Sequence, residues 1–358
     1  MLGGDGFQPI FHPTNSQIIW AETQRGGLHV STDGGLNFNS AVNGIDPTDR
    51  TNWDCPIIMS SHNSNTLYTG TYRIYKNTQG ANENWISTSP DLTDGIIFSS
   101  SFHTISTIAE SSIDGNHLYV GTSDANVWRS LNGGTNWTNI TGTLPDRYVT
   151  SVKASPNNTN TVFVTHSGYK YNDFIPHVHR SIDNGTSWTD ISGNLPQVAV
   201  NDIIVYPGND DILFVASDAG VYVTLNGGAD WNRIGNNMPV IPVLDLDIEP
   251  VNNRLIAGTH ARSMMTFPID SILISTEVGS IQENEMNIYP NPTSDQINIE
   301  TNEKITNIII YDLRGNIVKQ FSVSSKQYSV NVRSLASGKY FLQSISTKNN
   351  NVSSFIKY

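Results

Sequence analysis

Four stretches of this chain repeat one pattern, and the pattern limits what the chain can fold into. Each reads hydroxyl, any residue, Asp or Asn, any residue, Gly, and then an aromatic ring three residues on. They are Ser31-Thr32-Asp33-Gly34-Gly35-Leu36-Asn37-Phe38, Ser130-Leu131-Asn132-Gly133-Gly134-Thr135-Asn136-Trp137, Ser181-Ile182-Asp183-Asn184-Gly185-Thr186-Ser187-Trp188 and Thr224-Leu225-Asn226-Gly227-Gly228-Ala229-Asp230-Trp231. Residues 76–85 read as a worn copy with an insertion. A short carboxylate or amide accepts backbone N–H bonds further round a turn, and glycine supplies the positive φ that other residues resist. The pattern is therefore hairpin chemistry, with the ring opening the next strand and buried between layers. The structural reading of Asp33, Asp183 and Trp188 is preferred to a catalytic one.

A longer unit surrounds each box: a strand, a turn, a second strand ending near Gly-Thr, a third strand, the box, and a fourth strand. Six such units are legible, and the box aromatics of the first five, Phe38, Trp85, Trp137, Trp188 and Trp231, recur about every forty to fifty residues, the size of a four-stranded propeller blade. Three residues before the box hydroxyls stand Leu28, Val127, Val178 and Val221, and two before stand His29, Trp128, His179 and Tyr222. Side chains alternate in facing along a strand, so one face of each third strand is aliphatic and the other carries a ring, as a strand packed between two blades requires. No helical periodicity is read anywhere. The sixth unit gives three strands and no box. Either residues 272–275 add its outer strand or a strand upstream of Met1 does; the second reading is taken, so the six blades belong to a larger propeller and a signal peptide is expected upstream.

Residues 275–285 are polar, lack strand alternation and read as a linker between a body, 1–274, and a tail, 286–358. A different pattern begins at 286–293, and short strands follow at 296–300, 307–311, 317–322, 327–332, 338–346 and 352–358; seven or so strands in all read as a small Ig-like β-sandwich. The expected fold is thus all-β. The chain's net charge of −12 divides into +2 from residue 281 onward and −14 before it. An acidic body does not suit a phosphate backbone, so nucleic acid is not an expected partner. Cys55 is the only cysteine, so packing alone holds the chain, and no apolar run is long enough to span a bilayer.

The box pattern resembles the Asp-box (BNR) repeat of sialidases, sortilin-type receptors and family-74 glycoside hydrolases, where it joins the third and fourth strands of each blade. Gly258-Thr259-His260-Ala261-Arg262-Ser263 resembles the Gly-Thr-His-Gly-Arg-Gly motif that closes sortilin-like and glycosidase-like propellers, with Ala261 and Ser263 in place of two glycines. The tail resembles the C-terminal sorting domain of the Bacteroidetes type IX secretion system. The residues that carry this are Tyr289-Pro290-Asn291-Pro292, Ile310-Tyr311-Asp312-Leu313-Arg314-Gly315, Leu335-Ala336-Ser337-Gly338-Lys339-Tyr340 and the final Ile356-Lys357-Tyr358. The resemblance implies a secreted or cell-surface protein with the type IX machinery as partner.

Catalytic patterns are sparse: there is no HExxH, CxxC pair, GxSxG or phosphate loop. His177-Val178-His179 places two imidazoles on one strand face and could begin a zinc site. His179, however, occupies the slot of Trp128 and Tyr222 in sister blades, so packing is preferred, and neither metal nor cofactor is expected. Blade connectivity puts the second-to-third turns and the links between blades on one face, where propellers carry their sites. There fall Arg25, Trp53, Tyr72 and Arg73, then Tyr169 and Tyr171 on the loop 166–176, and Asp218, His260 and Arg262. Aromatic plates beside polar groups suit a glycan, and a protein ligand is the other candidate. If the chain is a family-74-like hydrolase, its two carboxylates come from Asp5, Asp54, Asp124 and Asp173. A sialidase is disfavoured, because the body holds only twelve Lys or Arg residues and no Arg-Ile-Pro.

Overall fold

The structure, a computed structural model, describes residues 2–96, 103–235, 238–277, 286–313, 315–346 and 350–358. Two compact units divide between Ile269 and Asp270.

The first unit is a β-propeller of six antiparallel blades. Blade 1 is β1 (Ile10–Phe11), β2 (Ile19–Thr23), β3 (Gly27–Ser31) and β4 (Asn39–Ser40); blade 2 is β5 (Ile57–Met59), β6 (Leu67–Gly70), β7 (Ile74–Asn77) and β8 (Ile86–Ser87). Blade 3 is β9 (Ile105–Glu110), β10 (Leu118–Thr122), β11 (Val127–Ser130) and β12 (Thr138–Asn139); blade 4 is β13 (Tyr148–Ala154), β14 (Val162–Ser167), β15 (His177–Ser181) and β16 (Thr189–Asp190). Blade 5 is β17 (Val200–Val205), β18 (Leu213–Ser217), β19 (Gly220–Thr224) and β20 (Asn232–Ile234), and blade 6 has three strands among the described residues, β21 (Val243–Glu249), β22 (Arg254–Thr259) and β23 (Met264–Pro268).

Burial follows from this stacking. The second strands β10 and β18 are buried at every residue, because neighbouring blades cover both their faces. The outermost strands β4, β8, β12 and β16 are two residues long and exposed, which leaves little open edge for unwanted pairing. Cores form between blades: Trp20, Leu28 and Val30 of blade 1 meet Ile57, Leu67, Tyr75 and Trp85 of blade 2, and the two indoles pack edge to face at 6.1 Å. As the alternation requires, Leu28, Val127, Val178 and Val221 are buried while His29, Trp128, His179 and Tyr222 are half-buried.

Two rows of hydrogen bonds stitch the blades together. On the outside, each box tryptophan donates its indole N–H to a carbonyl just past the outer strand of the preceding blade: Trp85 to Ala41 at 2.9 Å, Trp137 to Thr88 at 3.2 Å, Trp188 to Ile140 at 2.8 Å and Trp231 to Ile191 at 2.9 Å. On the inside, one bulge recurs in the first strands of blades 3, 4 and 5, and its extra residue reaches the next blade. Ser106 donates to the Val149 carbonyl at 2.6 Å, Thr150 to Val200 at 2.8 Å and Asn201 to Val243 at 2.8 Å. The bulge re-aims a side chain that regular pleating would hold within its own sheet.

The boxes close as hairpin turns. Ser181 donates to the Asp183 carboxylate at 2.7 Å while accepting the Gly185 N–H at 2.7 Å, and Asp183 accepts from the Ser187 backbone at 2.9 Å. Ser31 and Asp33, Ser130 and Asn132, and Thr224 and Asn226 repeat the arrangement. The second glycine has φ of +84° at Gly185 and +97° at Gly228, and a Cβ on Gly228 would stand 2.5 Å from the Ile191 oxygen of blade 4. Left-handed backbone and close approach therefore both demand glycine there.

The second unit opens on an element that the sequence reading did not expect, a helix, so the alternative of an outer strand at residues 272–275 is not met. Asp270–Glu277 is the helix α1, with Asp270 in its first turn, where a carboxylate favours the positive end of the helix dipole. The expected linker at 275–285 begins inside this helix, and its part from 278 onward lies outside the described residues.

The second unit has its own core of Ile297, Ile299, Ile305, Ile308, Ile310, Leu342 and Phe355. Its strands are β24 (Asn287–Tyr289), β25 (Gln296–Tyr311), β26 (Ile317–Asn331), β27 (Gly338–Ser346) and β28 (Asn350–Lys357). They are fewer than expected because two pairs of short strands are continuous. β25 bends where its register shifts between Glu300 and Ile305, so its first half pairs with β24 and its second with β27, while β26 follows it throughout. The bent hairpin serves both layers of the sandwich.

Candidate functional site

A cavity of about 300 Å³ opens on the face formed by the second-to-third turns and the blade links, lined by Arg25, Thr51, Asn52, Trp53, Ser123, Tyr148 and Lys170. Local chemistry fixes each wall. Arg25 sits in the β2–β3 turn at φ +62°, and its N–H donates to the Trp53 carbonyl at 2.9 Å, tying the turn to the link between blades 1 and 2. Its guanidinium lies 5.7 Å from the Trp53 ring centre, and that ring is 50% exposed. Asn52 donates to the Tyr148 hydroxyl at 3.1 Å and accepts the Trp53 N–H at 2.8 Å, so one amide joins blade 4 to the link. Lys170 lies 5.6 Å from the Tyr148 ring centre, and burial pushes the Tyr148 hydroxyl up.

Behind this wall Glu22 is 1% exposed; its Oε1 accepts the Cys55 N–H at 2.8 Å and its Oε2 has no hydrogen-bond partner among the described residues. Burial raises its carboxyl to about 8, and the charge of Asp54 adds to the shift. Asp54 is raised as well, chiefly by desolvation, although its side chain reaches solvent. Glu22 is held by its strand and Asp54 by the link, so the fold brings two acids near one another, and burial raises both.

The remaining sequence candidates occupy separate settings. Tyr72 is flanked by the guanidiniums of Arg50 at 4.1 Å and Arg73 at 5.1 Å. Arg73 pairs with Asp49 at 2.6 Å, and Asp49 also accepts from Tyr75 and Thr71. Asp124 accepts from His103 at 3.0 Å and from the Asp94 N–H at 2.6 Å. Asp173 is held below the usual carboxylate range by the Ile175 N–H, His177 and Arg147, against the opposing effect of its burial. Tyr169 and Tyr171 lie on a single 3-10 turn, 68% and 62% exposed; the strand before them runs through Ser167, which shortens the expected loop. Asp218 accepts from Asn201 at 3.0 Å, and Asp5 is exposed beside the Gly6–Thr23 bridge. His260 and Arg262 are exposed on blade 6, and Ser263 beside them has φ of +57°.

Of the residues expected at a binding face, Arg25 and Trp53 meet in the cavity, and Tyr169 and Tyr171 flank its Lys170. Sequence reasoning missed Tyr148 and Glu22, and did not single out Asn52 and Lys170 within the link and the loop that it placed on this face. Glu22 carried one signal, a lone acid inside the otherwise apolar run of β2.

In the tail, Asn291 donates to the Ser354 carbonyl at 3.0 Å and accepts the Ile356 N–H at 2.9 Å, fastening the Tyr289-Pro290-Asn291-Pro292 segment to the last strand. Asp312 accepts the Asn316 N–H at 2.9 Å across a turn in which Gly315 has φ of +81°. Gly338 opens β27, and Tyr340 donates to Ala336 at 2.8 Å and stacks on Phe355 at 5.5 Å. No helix among the described residues is long and apolar enough to cross a membrane.

These features define a β-propeller followed by a separate C-terminal β-domain. Residues 287–358 match the secretion system C-terminal sorting domain family, which makes this a protein of the cell surface or the extracellular space. Comparison with curated proteins gives no match. Among solved structures, the fold is similar to an ancestral GH74 enzyme (TM-score 0.56, 16% identity, 99% of this chain and 46% of that one). It is also similar to the GH74 xyloglucanase from Xanthomonas campestris (TM-score 0.53, 16% identity, 75% and 45%). A third is the extracellular domain of a putative hybrid two component system from B. thetaiotaomicron (TM-score 0.54, 11% identity, 99% and 50%). The chain spans about half the length of these proteins, and at such identities the likeness is one of fold.

Proposed function

We propose that the propeller is a glycan-binding module, that its four boxes are Asp-box repeats, and that the type IX machinery exports it through the tail. The observation that supports binding is the cavity at Arg25, Trp53, Tyr148 and Lys170. An exposed indole offers a plate for the C–H face of a sugar, and the guanidinium, ammonium and amide donate to hydroxyl or carboxylate oxygens, the mixture of apolar wall and few placed polar groups that ligand sites use. None of the described residues lining the cavity is a carboxylate, whereas glycoside hydrolysis needs two across the scissile bond. Glu22 is too deeply buried to touch a polymer, so its raised pKa does not supply the acid.

A broad array of extracellular polysaccharides, probed with the full chain, tests the reading. Trp53→Ala is expected to weaken retention at least about tenfold, the size of effect that loss of an aromatic anchor has at an interface, and the double variant Tyr169→Ala/Tyr171→Ala less so. Reducing-end release is expected to stay at background; release by the wild type would favour a family-74-like hydrolase. A wild type that binds no glycan, or a Trp53→Ala variant that binds as well as wild type, overturns the proposal, and retention of a protein in place of a glycan would redirect it.

A further inference from the structure

Three imidazoles that the binding site does not use gather on one face of blade 4. His166 of β14 stands directly across the ladder from His177 of β15, and His179, two residues along, projects from the same face as His177. Their ring centres are 5.8 Å apart for His166 and His179, 6.4 Å for His166 and His177, and 6.5 Å for the parallel pair His177 and His179. His166 is 1% exposed, yet neither of its ring nitrogens has a hydrogen-bond partner, and His179 Nδ1 is buried without one as well. Buried polar atoms are normally satisfied, and those that are not call for a missing water or ion.

We propose that His166, His177 and His179 form a site for a divalent transition-metal ion of the zinc type. The partners of His177 support this. Its Nε2 faces the Asp173 carboxylate at 3.2 Å, and Arg147 holds the same carboxylate oxygen at 2.8 Å. A ring that donates Nε2–H to a carboxylate turns the lone pair of Nδ1 outward, the carboxylate–histidine–metal arrangement in which the second nitrogen ligates. Imidazole is a ligand type suited to Zn²⁺, Cu²⁺ and Ni²⁺. Among the described residues no group of three or more His, Cys, Asp or Glu side chains is already placed to hold a metal ion, so these rings must move to do so. The centre-to-centre distances exceed by roughly 1 Å the spacing of about 5 Å that imidazoles on one zinc ion at about 2.0–2.1 Å per nitrogen would show. Closing that gap takes rotation of His166 and His179, and no hydrogen bond holds the His166 ring in place. Aromatic packing alone explains His179, whose slot holds Trp128 and Tyr222 in sister blades, but it does not explain a fully enclosed His166 with two unsatisfied nitrogens.

The experiment is a titration of the chelator-stripped full chain with Zn²⁺ by calorimetry, and with Co²⁺ by visible absorption. One equivalent of Zn²⁺ is expected to bind, with Co²⁺ giving the bands of a low-coordinate ion. His179→Tyr, which installs the residue of blade 5 and so preserves packing, is expected to weaken affinity at least about 100-fold. Asp173→Asn, which alters only the outer partner, is expected to weaken it about 10- to 100-fold. No stoichiometric uptake by the wild type overturns the proposal. So does uptake that His179→Tyr and Asp173→Asn both leave unchanged, since the ion would then sit on other histidines.

Discussion

Trp231 donates its indole N–H to the carbonyl of Ile191 at 2.9 Å, joining the turn of blade 5 to the outer rim of blade 4. The ring is 3% exposed and packs in the core with Leu195, Val200 and Leu213. Trp231→Ala is expected to destabilise the propeller by about 3–5 kcal/mol, the range for emptying a large buried aromatic site. Trp231→Phe retains most of the apolar area and leaves the Ile191 oxygen unsatisfied, at about 1–3 kcal/mol. Trp188→Ala should cost less than Trp231→Ala, because Trp188 is only half-buried. Equilibrium denaturation of the three variants gives the ranking, and equal midpoints for wild type and Trp231→Ala would remove the box tryptophan from the stabilising framework.

The propeller was legible in the sequence because box chemistry is local: Ser181, Asp183, Gly185 and Ser187 make their bonds within a few residues of one another, and the set recurs. Alternation likewise placed Val178 and His179 on opposite faces. What it does not convey is which loop another blade brings alongside. Asn52 meets Tyr148 across nearly a hundred residues, and His166 was hidden because a cross-strand partner depends on register. The helix at Asp270–Glu277 was missed because eight residues are too few to show a 3.6-residue period, and an Ile-Leu-Ile run reads equally as a strand. In the tail, the polar residues between Glu300 and Ile305 mimic a turn where the strand only shifts register.

The buried acid gives a pH prediction. The Glu22 carboxyl is raised from its ordinary 4.5 to about 8, so between those values the folded state retains a proton that the unfolded chain has released. Its contribution to stability is fully present below about 4.5 and is lost as pH rises to about 8, because stability falls wherever the folded state binds more protons. Glu22→Gln keeps an oxygen for the Cys55 N–H and cannot ionise. Its melting temperature should match wild type near pH 4.5, exceed it increasingly up to about pH 8, and differ by a constant amount above that. Parallel melting curves across that range would show that Glu22 does not titrate as described.

Export is the reading that the tail supports. Residues 275–358 placed behind a signal peptide and a fluorescent protein should carry the fusion to the surface or medium of a type IX-competent host, while the same fusion without 286–358 should stay in the periplasm. Fractionation with immunoblotting separates the outcomes, and equal surface levels with and without the tail would contradict the assignment. The tail's own isoleucine-rich core predicts that it folds apart from the propeller.

The glycan-binding account rests most heavily on Trp53, and the chain's seven tryptophans make it directly observable. In protein labelled with ¹⁵N at the indole nitrogens, titration with an oligosaccharide from a polysaccharide that retains the full chain should move the Trp53 resonance progressively. The buried Trp20, Trp85 and Trp231 should hold still. Movement of Trp53, abolished together with retention in an Arg25→Ala/Tyr148→Phe variant that melts normally, is the predicted result. A ligand that binds while the Trp53 resonance stays fixed would contradict the account.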